Sequence, residues 1–472
     1  MTDSDARSDD GFGEAAARTI LHTKLHVPAI GERLVHRAAL LDALSAGRCR
    51  RLTLLSAPAG WGKTTLLAQW ALDAGEDQRF GWLSLDPPDN DPVWFWMYVV
   101  AALQKISPGV GDRAFELLAM GADPVQVVLP ALLNDLDTIA SPMVLILDDY
   151  HLVVSRAVHE QIAFFISRIP ANLHLVLATR SDPMLPLARL RAGGELAEMR
   201  TDDLRFGAGE SEHLLNDVLG LDLAHEDIQL LHQRTEGWAA GLCLAALSLA
   251  GRADTGGFIR TFAGDNRHIV DYLMAEVLDG QPPELRSFLL RTSVLERLSG
   301  PLCDAMLQTS GSASVLEKIE RENLFVVPLD MSRGWYRYHH LFGELLRTEL
   351  RRSEPDLVAD LNQRAAAWFE TEGLGRGRTD AGIASTLPAS AERSAGVAVT
   401  SRNEGCADGE ELTPKELEVL RLLPTRLSRR EIGARLYVSL NTVKTHQRAV
   451  HRKLRVEHRG AAVTRARELG LL

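Results

Sequence analysis

Residues 51–65 read RLTLLSAPAGWGKTT, and this stretch decides the fold. Its first half, Arg51 to Ala57, is a short, mostly apolar run of strand type. Its second half is a glycine-containing loop, and the residues that follow, Thr64 to Ala74, have helical spacing. A strand, a tight loop and a helix in immediate succession put the backbone N–H groups of the loop and of the first helical turn around one point. Such a cradle suits phosphate oxygens. Gly60 and Gly62 permit close backbone approach, Lys63 supplies a positive charge for the β- and γ-phosphates, and the Thr64 hydroxyl can ligate Mg²⁺. Thr65 and Ala57 complete the loop, Ala57 standing where glycine is usual.

Working outward, short apolar runs recur at Phe80 to Leu85, Met143 to Leu147 and Leu173 to Ala178, separated by helical patterns. That alternation predicts a parallel sheet covered on both faces. The run 144–149, VLILDD, ends in two carboxylates about 85 residues after Lys63. Asp148 is the candidate for Mg²⁺, and Asp149 for polarising an attacking water. Taken alone, an Asp pair at a strand end reads as a cap; paired with the phosphate loop it reads as nucleotide chemistry. Arg180 follows the next strand, at the edge where ligands bind in such sheets. A γ-phosphate sensor and a plain surface arginine both satisfy that placement.

From Ser211 to about Leu350 the helical period dominates, with helices expected around Leu214 to Leu219, Ile228 to Leu231, Ala239 to Ala250 and Ile269 to Leu278. Leu324 to Leu329 and Trp335 to Tyr338 read as a hairpin after a helix, the outline of a winged-helix unit. Leu357, Leu361, Ala365 and Trp368 form one stripe on a helix from about Pro355 to Thr371. Residues 374–411 are rich in Gly, Ser, Ala, Arg and Thr without periodicity and read as a flexible linker, spanning about 35 Å.

Periodicity returns at Thr413, where capping boxes at Thr413 and Ser428 and a cap at Ser439 open three successive helices. Two of these joined by the turn Tyr437-Val438 form a helix-turn-helix. Val443, Gln447, Val450 and Leu454 share the buried face of the third, with His446 at its edge, as a packing residue or a phosphate contact. Asn441, Lys444, Thr445, Arg448 and Arg452 share the opposite face and, with Thr442, are assigned to DNA, Asn441, Lys444 and Thr445 deepest in the major groove; Arg429, Arg430 and Arg452 are the candidates for phosphate contacts. Charge agrees: the chain of 472 residues has net charge -11, yet residues 412–472 hold 14 Lys+Arg against 5 Asp+Glu. An acidic body with a basic end points to double-stranded DNA at that end. A merely solvated basic face does not account for three capped helices in this order.

Other classes fall away. The four cysteines are scattered without a CxxC pair, so neither a zinc site nor a disulfide framework is expected. No signal peptide or membrane-length apolar run is visible, and a cytoplasmic setting is expected.

The segment 412–472 resembles the LuxR-type DNA-binding domain in the blocks LTPKELEVLRLL, EIGARLYVS and NTVKTHQRAVHRKL. Residues from about Leu21 to Trp368 resemble the ATPase part of the MalT-like large LuxR regulators, a branch of the STAND ATPases. The matching blocks include KLHVP, LVHRAALLDAL, LLSAPAGWGKTTLLAQWA, WLSLDPPDNDP, LILDDYHLV, LATRSDP and RYHHLF. The resemblance implies a multidomain fold, α/β plus all-α: a disordered start (1–17), a P-loop ATPase domain (18–206), a helical domain (207–300), a winged helix (301–350), the first helix of a repeat sensor (351–373), the linker (374–411) and the four-helix reader (412–472). It implies ADP or ATP with Mg²⁺ as ligands, His339 near the ADP phosphates, and Arg37 near the nucleotide. It further implies self-association in the ATP form, RNA polymerase as a partner, and slow regulatory ATPase activity at most. The long sensor of such regulators is reduced here to one helix. Besides an ATP-dependent activator, a constitutive or competing sensor-less paralogue and a P-loop ATPase enzyme therefore stand as alternatives.

Overall fold

Five parallel strands form the central sheet in the order β2–β3–β4–β1–β5. They are β1 Leu52–Ser56, β2 Arg79–Ser84, β3 Met143–Asp148, β4 Leu173–Thr179 and β5 Leu196–Arg200. The structure is a computed structural model; it describes residues 20–31, 34–73, 79–249, 252, 254–330 and 332–371, with Leu420, Leu423, Gln447, Val450, Lys453, Val456 and 459–468. Residues 1–17 and 374–411 lie outside the described residues.

The four expected strands are present within two residues of their expected ends. β5 was not expected. It is an edge strand paired only with β1, and its sequence LAEMR mixes apolar and charged residues, so no apolar run marks it. Its polar side is tied off by ions: Glu198 accepts from Arg191 and Arg200, each at 2.7 Å.

β1, β3 and β4 are buried along their whole lengths, and their side chains divide between two cores because successive residues face opposite ways. Leu52 and Leu54 join Leu145, Leu147, Leu175 and Leu177 on one face, under the helices Pro92–Ile106, Leu129–Asp137 and Arg156–Arg168. Leu55, Val144, Ile146, Val176 and Ala178 face the other way. That second core continues through Trp238, Leu242 and Phe262 to Tyr338, Phe342 and Leu346. The sheet and the helical segments after it therefore share one apolar interior.

The N-terminal segment is pinned by a buried ion cluster. Lys24 reaches Asp89 at 2.7 and 2.5 Å and Asp86 at 2.9 Å, linking the KLHVP and DPPDND blocks.

Beyond the sheet, helices occupy His225–Thr235, Ala239–Leu249 and Arg267–Leu273. Of the stretches read as helical, Leu214–Leu219 falls almost wholly in the wider π-type turns His213–Val218, and Ile269–Leu278 passes from the helix Arg267–Leu273 into the π-type turns Met274–Leu278. The expected hairpin pairs Val326–Pro328 (β6) with Tyr336–Tyr338 (β7), antiparallel, between the helices Ser312–Arg321 and His340–Ser353. The last helix of this unit, Pro355–Thr371, buries Leu361, Ala365 and Phe369, with Leu357 and Trp368 half-buried beside them.

The C-terminal unit contains the helix Arg459–Glu468, whose Ala462 and Ala466 are buried, and buried Leu420, Leu423, Gln447 and Val450. Gln447 and Val450 are thus interior, as their helical spacing requires. Arg429, Arg430, Asn441, Thr442, Lys444, Thr445, Arg448 and Arg452 lie outside the described residues. Among the described residues no helix is long and apolar enough to cross a membrane.

Candidate nucleotide site

The loop after β1 and Asp149, directly after β3, open onto one cleft of about 440 Å³ at the C-terminal edge of the sheet. That volume is in the range of small-molecule sites. Gly60, Gly62, Lys63, Thr64, Thr65, Asp149, Arg180 and Arg37 all line it. Gly60 and Gly62 have φ of +76° and +78°, a left-handed backbone that disfavours any side chain. At Gly60 space forbids one too: a Cβ would stand 2.5 Å from the Ala240 Cβ and 2.8 Å from the Trp238 Nε1.

Lys63 turns its ammonium onto the loop itself, donating to the carbonyls of Ala57 at 2.7 Å and Pro58 at 2.9 Å. Burial, reinforced by the charge of Arg180, lowers its pKa to about 8. Asp148 is 2 % exposed. Burial and the neighbouring Asp149 raise its pKa to about 6, against hydrogen bonds from Thr64 and the Asp149 N–H. A buried carboxylate held this high is short of a cation. The hard oxygens of Thr64 and Asp148 fit Mg²⁺, which would supply the missing charge there. Asp149 has φ 55° and ψ 36°, uncommon for a residue with a side chain, and leaves its carboxylate part exposed in the cleft.

Arg180 bridges to Glu276 at 2.7 Å. Its place directly after β4 was legible; its partner, 96 residues away, was not. Arg37 also lines the cleft, but its guanidinium is committed to protein. Nε and Nη2 donate to Glu210 at 2.9 and 3.1 Å, Nη1 to the Leu204 carbonyl at 2.7 Å, and Nη2 to the Arg205 carbonyl at 2.9 Å. His339 does not line the cleft. It is buried behind Trp61 and Trp238, with ring centroids 6.4 and 6.0 Å away, and its Nε2 pairs with the Thr235 carbonyl at 2.9 Å. Burial lowers its pKa to about 4, so the imidazole is neutral.

Sequence reading missed the residues that close the cleft from the helical side. Trp238 donates through Nε1 to the Ala59 carbonyl at 3.0 Å, and the Ala240 N–H donates to the Gly60 carbonyl at 3.0 Å. The N-terminal end of the helix Ala239–Leu249 thus grips the phosphate loop from outside. The only available signal was a tryptophan after Thr-Glu-Gly at a helix start, too general to assign.

Comparison with known proteins places these features. The model for the MalT winged helix domain matches residues 274–358, wider than the expected 301–350, and that for the luxR family of bacterial regulatory proteins matches residues 410–466. The serine/threonine-protein kinase PknK of Mycobacterium tuberculosis is 36% identical over 360 residues, 76% of this chain and 32% of that protein. The HTH-type transcriptional regulator MalT of Serratia proteamaculans is 37% identical over 354 residues, 74% of this chain and 38% of its own; that of Yersinia enterocolitica is 36% identical over 351 residues. The chain thus spans about a third of the length of the curated relatives it matches.

Proposed function

We propose that this chain, MalT-like in its larger part and carrying a luxR-family domain near its C-terminal end, is an ATP-gated transcription regulator that binds promoter DNA. In this reading 18–206 is the nucleotide module, 207–300 and 301–350 the helical and winged-helix modules that respond to it, 351–373 a further helix, and 412–472 the DNA reader on the linker 374–411. The observation that supports it best is that one cleft is lined both by the phosphate loop and by Ala239, Ala240 and Cys243 of the adjoining helix. Whatever fills the cleft bears on the packing of both.

On this reading Lys63 exchanges its two loop carbonyls for β- and γ-phosphate oxygens, which are stronger partners because they are charged. Thr64 and Asp148 hold Mg²⁺, and Asp149 accepts a proton from water in a slow regulatory hydrolysis. A γ-phosphate competes with Glu276 for Arg180. ATP and ADP then differ in affinity for the packed arrangement, which is what a nucleotide needs in order to shift a conformational equilibrium. The ATP form self-associates and presents its readers to double-stranded DNA. There Asn441, Thr442, Lys444 and Thr445 meet base edges, Arg429, Arg430 and Arg452 meet phosphates, and Arg448 lies on the same DNA-facing side. RNA polymerase is the partner of an activator so placed.

The test uses the full chain. Lys63→Ala should abolish binding of a fluorescent ATP analogue and the ATP-dependent rise in promoter binding and sedimentation coefficient. Salt-dependent binding of nonspecific DNA should persist. Full ATP-dependent promoter binding by Lys63→Ala would exclude the reading.

A further inference from the structure

A further pocket, of about 330 Å³, opens at the N-terminal edge of the sheet, at the far ends of the strands that lead to the nucleotide cleft. Its floor is the start of β3 and β4, with Met143, Val144 and His174, and its rim is the turn that follows the helix Ala38–Gly47. The volume is at the lower end of the range of small-molecule sites.

The chemistry of this pocket is one-sided. No carboxylate lines it, and Arg48 is the charged group in its wall. Nε of Arg48 donates to the Ser45 carbonyl at 3.1 Å, but its two terminal nitrogens form no hydrogen bond or ion pair among the described residues. His174 adds no charge. Its Nδ1–H donates to the Arg50 carbonyl at 2.8 Å, and its Nε2 accepts from the Thr53 hydroxyl at 2.9 Å, so both nitrogens are used. Burial lowers its pKa, which keeps the ring neutral. Asn172 gives its amide hydrogens to the carbonyls of Leu136 at 2.8 Å and Ile139 at 2.5 Å, which leaves Oδ1 in the wall without a donor.

An unpaired guanidinium fork matches a carboxylate, which it bonds through two parallel N–H groups. A phosphate fits less well. The helix end beside the pocket is a C-terminal one, whose carbonyls oppose a second negative charge. Met143, Val144 and Ala171 suit a short aliphatic body. A hydroxyl on the ligand would supply the donor that Asn172 lacks. An ammonium is disfavoured there, because no carboxylate in the wall would receive it beside Arg48.

We propose that this pocket binds a small aliphatic 2-hydroxy acid, and that its occupancy is transmitted to the nucleotide cleft. The second part rests on the reading of that cleft as a nucleotide site. The route is the helix Ala38–Gly47. Its N-cap is Arg37, which lines the cleft, and its C-cap is Arg48, which lines the pocket. Its ten residues put the two ends about 15 Å apart. Ser45 Oγ also accepts the Trp70 indole N–H at 2.9 Å, and Trp70 lies on the helix that begins at Lys63. An acid that draws on Arg48 therefore acts on one end of a rigid element whose other end borders the nucleotide. Coupling of this kind is reciprocal, so the nucleotide changes the affinity for the acid by the same factor.

Two exposed cysteines report the two sites: Cys49 lines the pocket and Cys243 the nucleotide cleft. The full chain is alkylated with iodoacetamide and each cysteine peptide is followed by mass spectrometry, with 2-hydroxy-3-methylbutyrate as the probe acid. For a molecule of about eight non-hydrogen atoms a dissociation constant of about 1 mM is expected. At about 10 mM acid, alkylation of Cys49 should then slow about tenfold. Inorganic phosphate and the neutral amide of the acid should leave Cys49 unprotected. Arg48→Leu should abolish the protection, and so should Ala171→Phe, which fills the pocket and leaves Arg48 in place. The acid should change the affinity for fluorescent ADP at least about fivefold. Undiminished alkylation of Cys49, or protection that survives either variant, overturns the site. ADP affinity that is the same with and without the acid overturns the transmission. ADP that neither binds nor slows alkylation of Cys243 removes the nucleotide reading instead, and Cys49 protection, read without nucleotide, still decides the site.

Discussion

Both terminal nitrogens of Arg337 reach the carboxylate of Glu236 at 2.7 Å, so β7 of the winged-helix hairpin is locked to the end of the helix His225–Thr235. The same carboxylate accepts the His340 N–H at 3.0 Å, and Arg205 donates to the Glu236 carbonyl at 2.9 Å. Arg205 also lies over the ring of Trp61 in the phosphate loop, 5.8 Å from its centre. Glu236 is therefore the point where the hairpin, the helical segment and the edge of the phosphate loop are joined. Its side chain is 7 % exposed, so removing its charge leaves Arg337 without its ion partner inside the join.

Glu236→Gln should lower stability by about 3 kcal/mol, the cost of breaking a buried pair from one side. It should also speed release of fluorescent ADP, because the closure over the loop is loosened. Urea unfolding and stopped-flow release check the two effects. Unchanged release with lowered stability would make the pair a brace and not a latch.

Acid should weaken the same join. Burial works to raise the Glu236 carboxyl, but the Arg337 hydrogen bonds, with His339 and His340, outweigh it and hold the pKa at about 2. A carboxylate depressed in the folded state contributes stability above its unfolded value near 4.5 and loses it as pH falls toward 2. The contribution is about 3 kcal/mol in full. Stability measured across that window should fall less steeply in Glu236→Gln than in the parent.

Asp148 has the opposite sign. Its pKa, raised to about 6, means the nucleotide-free fold keeps this contribution below pH 3.8 and loses it as pH rises through about 6. Mg²⁺ needs the ionised form. The Mg²⁺-dependent part of ADP affinity should therefore grow as pH rises through about 6, and Asp148→Asn should abolish that dependence. Titrating ADP with and without Mg²⁺ on either side of that pH measures it.

Trp238 should separate the grip on the loop from the packing beneath it. Trp238→Phe keeps an aromatic ring but loses the bond to the Ala59 carbonyl, at a cost of about 1 kcal/mol. Trp238→Ala also opens a cavity in a fully buried site, at about 3–5 kcal/mol. If loop closure depends on the indole N–H, Trp238→Phe should accelerate nucleotide exchange out of proportion to its small loss of stability.

By itself the sequence determined what is local. The phosphate loop, the carboxylates of β3 and the central strands were legible because each is a short run whose residue types and spacing suffice for its chemistry. The buried stripe of the helix Pro355–Thr371 was legible for the same reason. Gly60 shows the limit. Its place in the loop was evident, but the demand that it have no side chain comes equally from Ala240 and Trp238, which only the packed fold brings against it. β5 escaped notice because an edge strand needs no continuous apolar run. The closure of the cleft by Trp238, the Glu236–Arg337 join and the commitment of Arg37 to Glu210 were decided by tertiary structure. All three join residues about 100 or more positions apart. No spacing rule reaches that far, because the energy lies in groups that meet only after the sheet and the helical segments share one core.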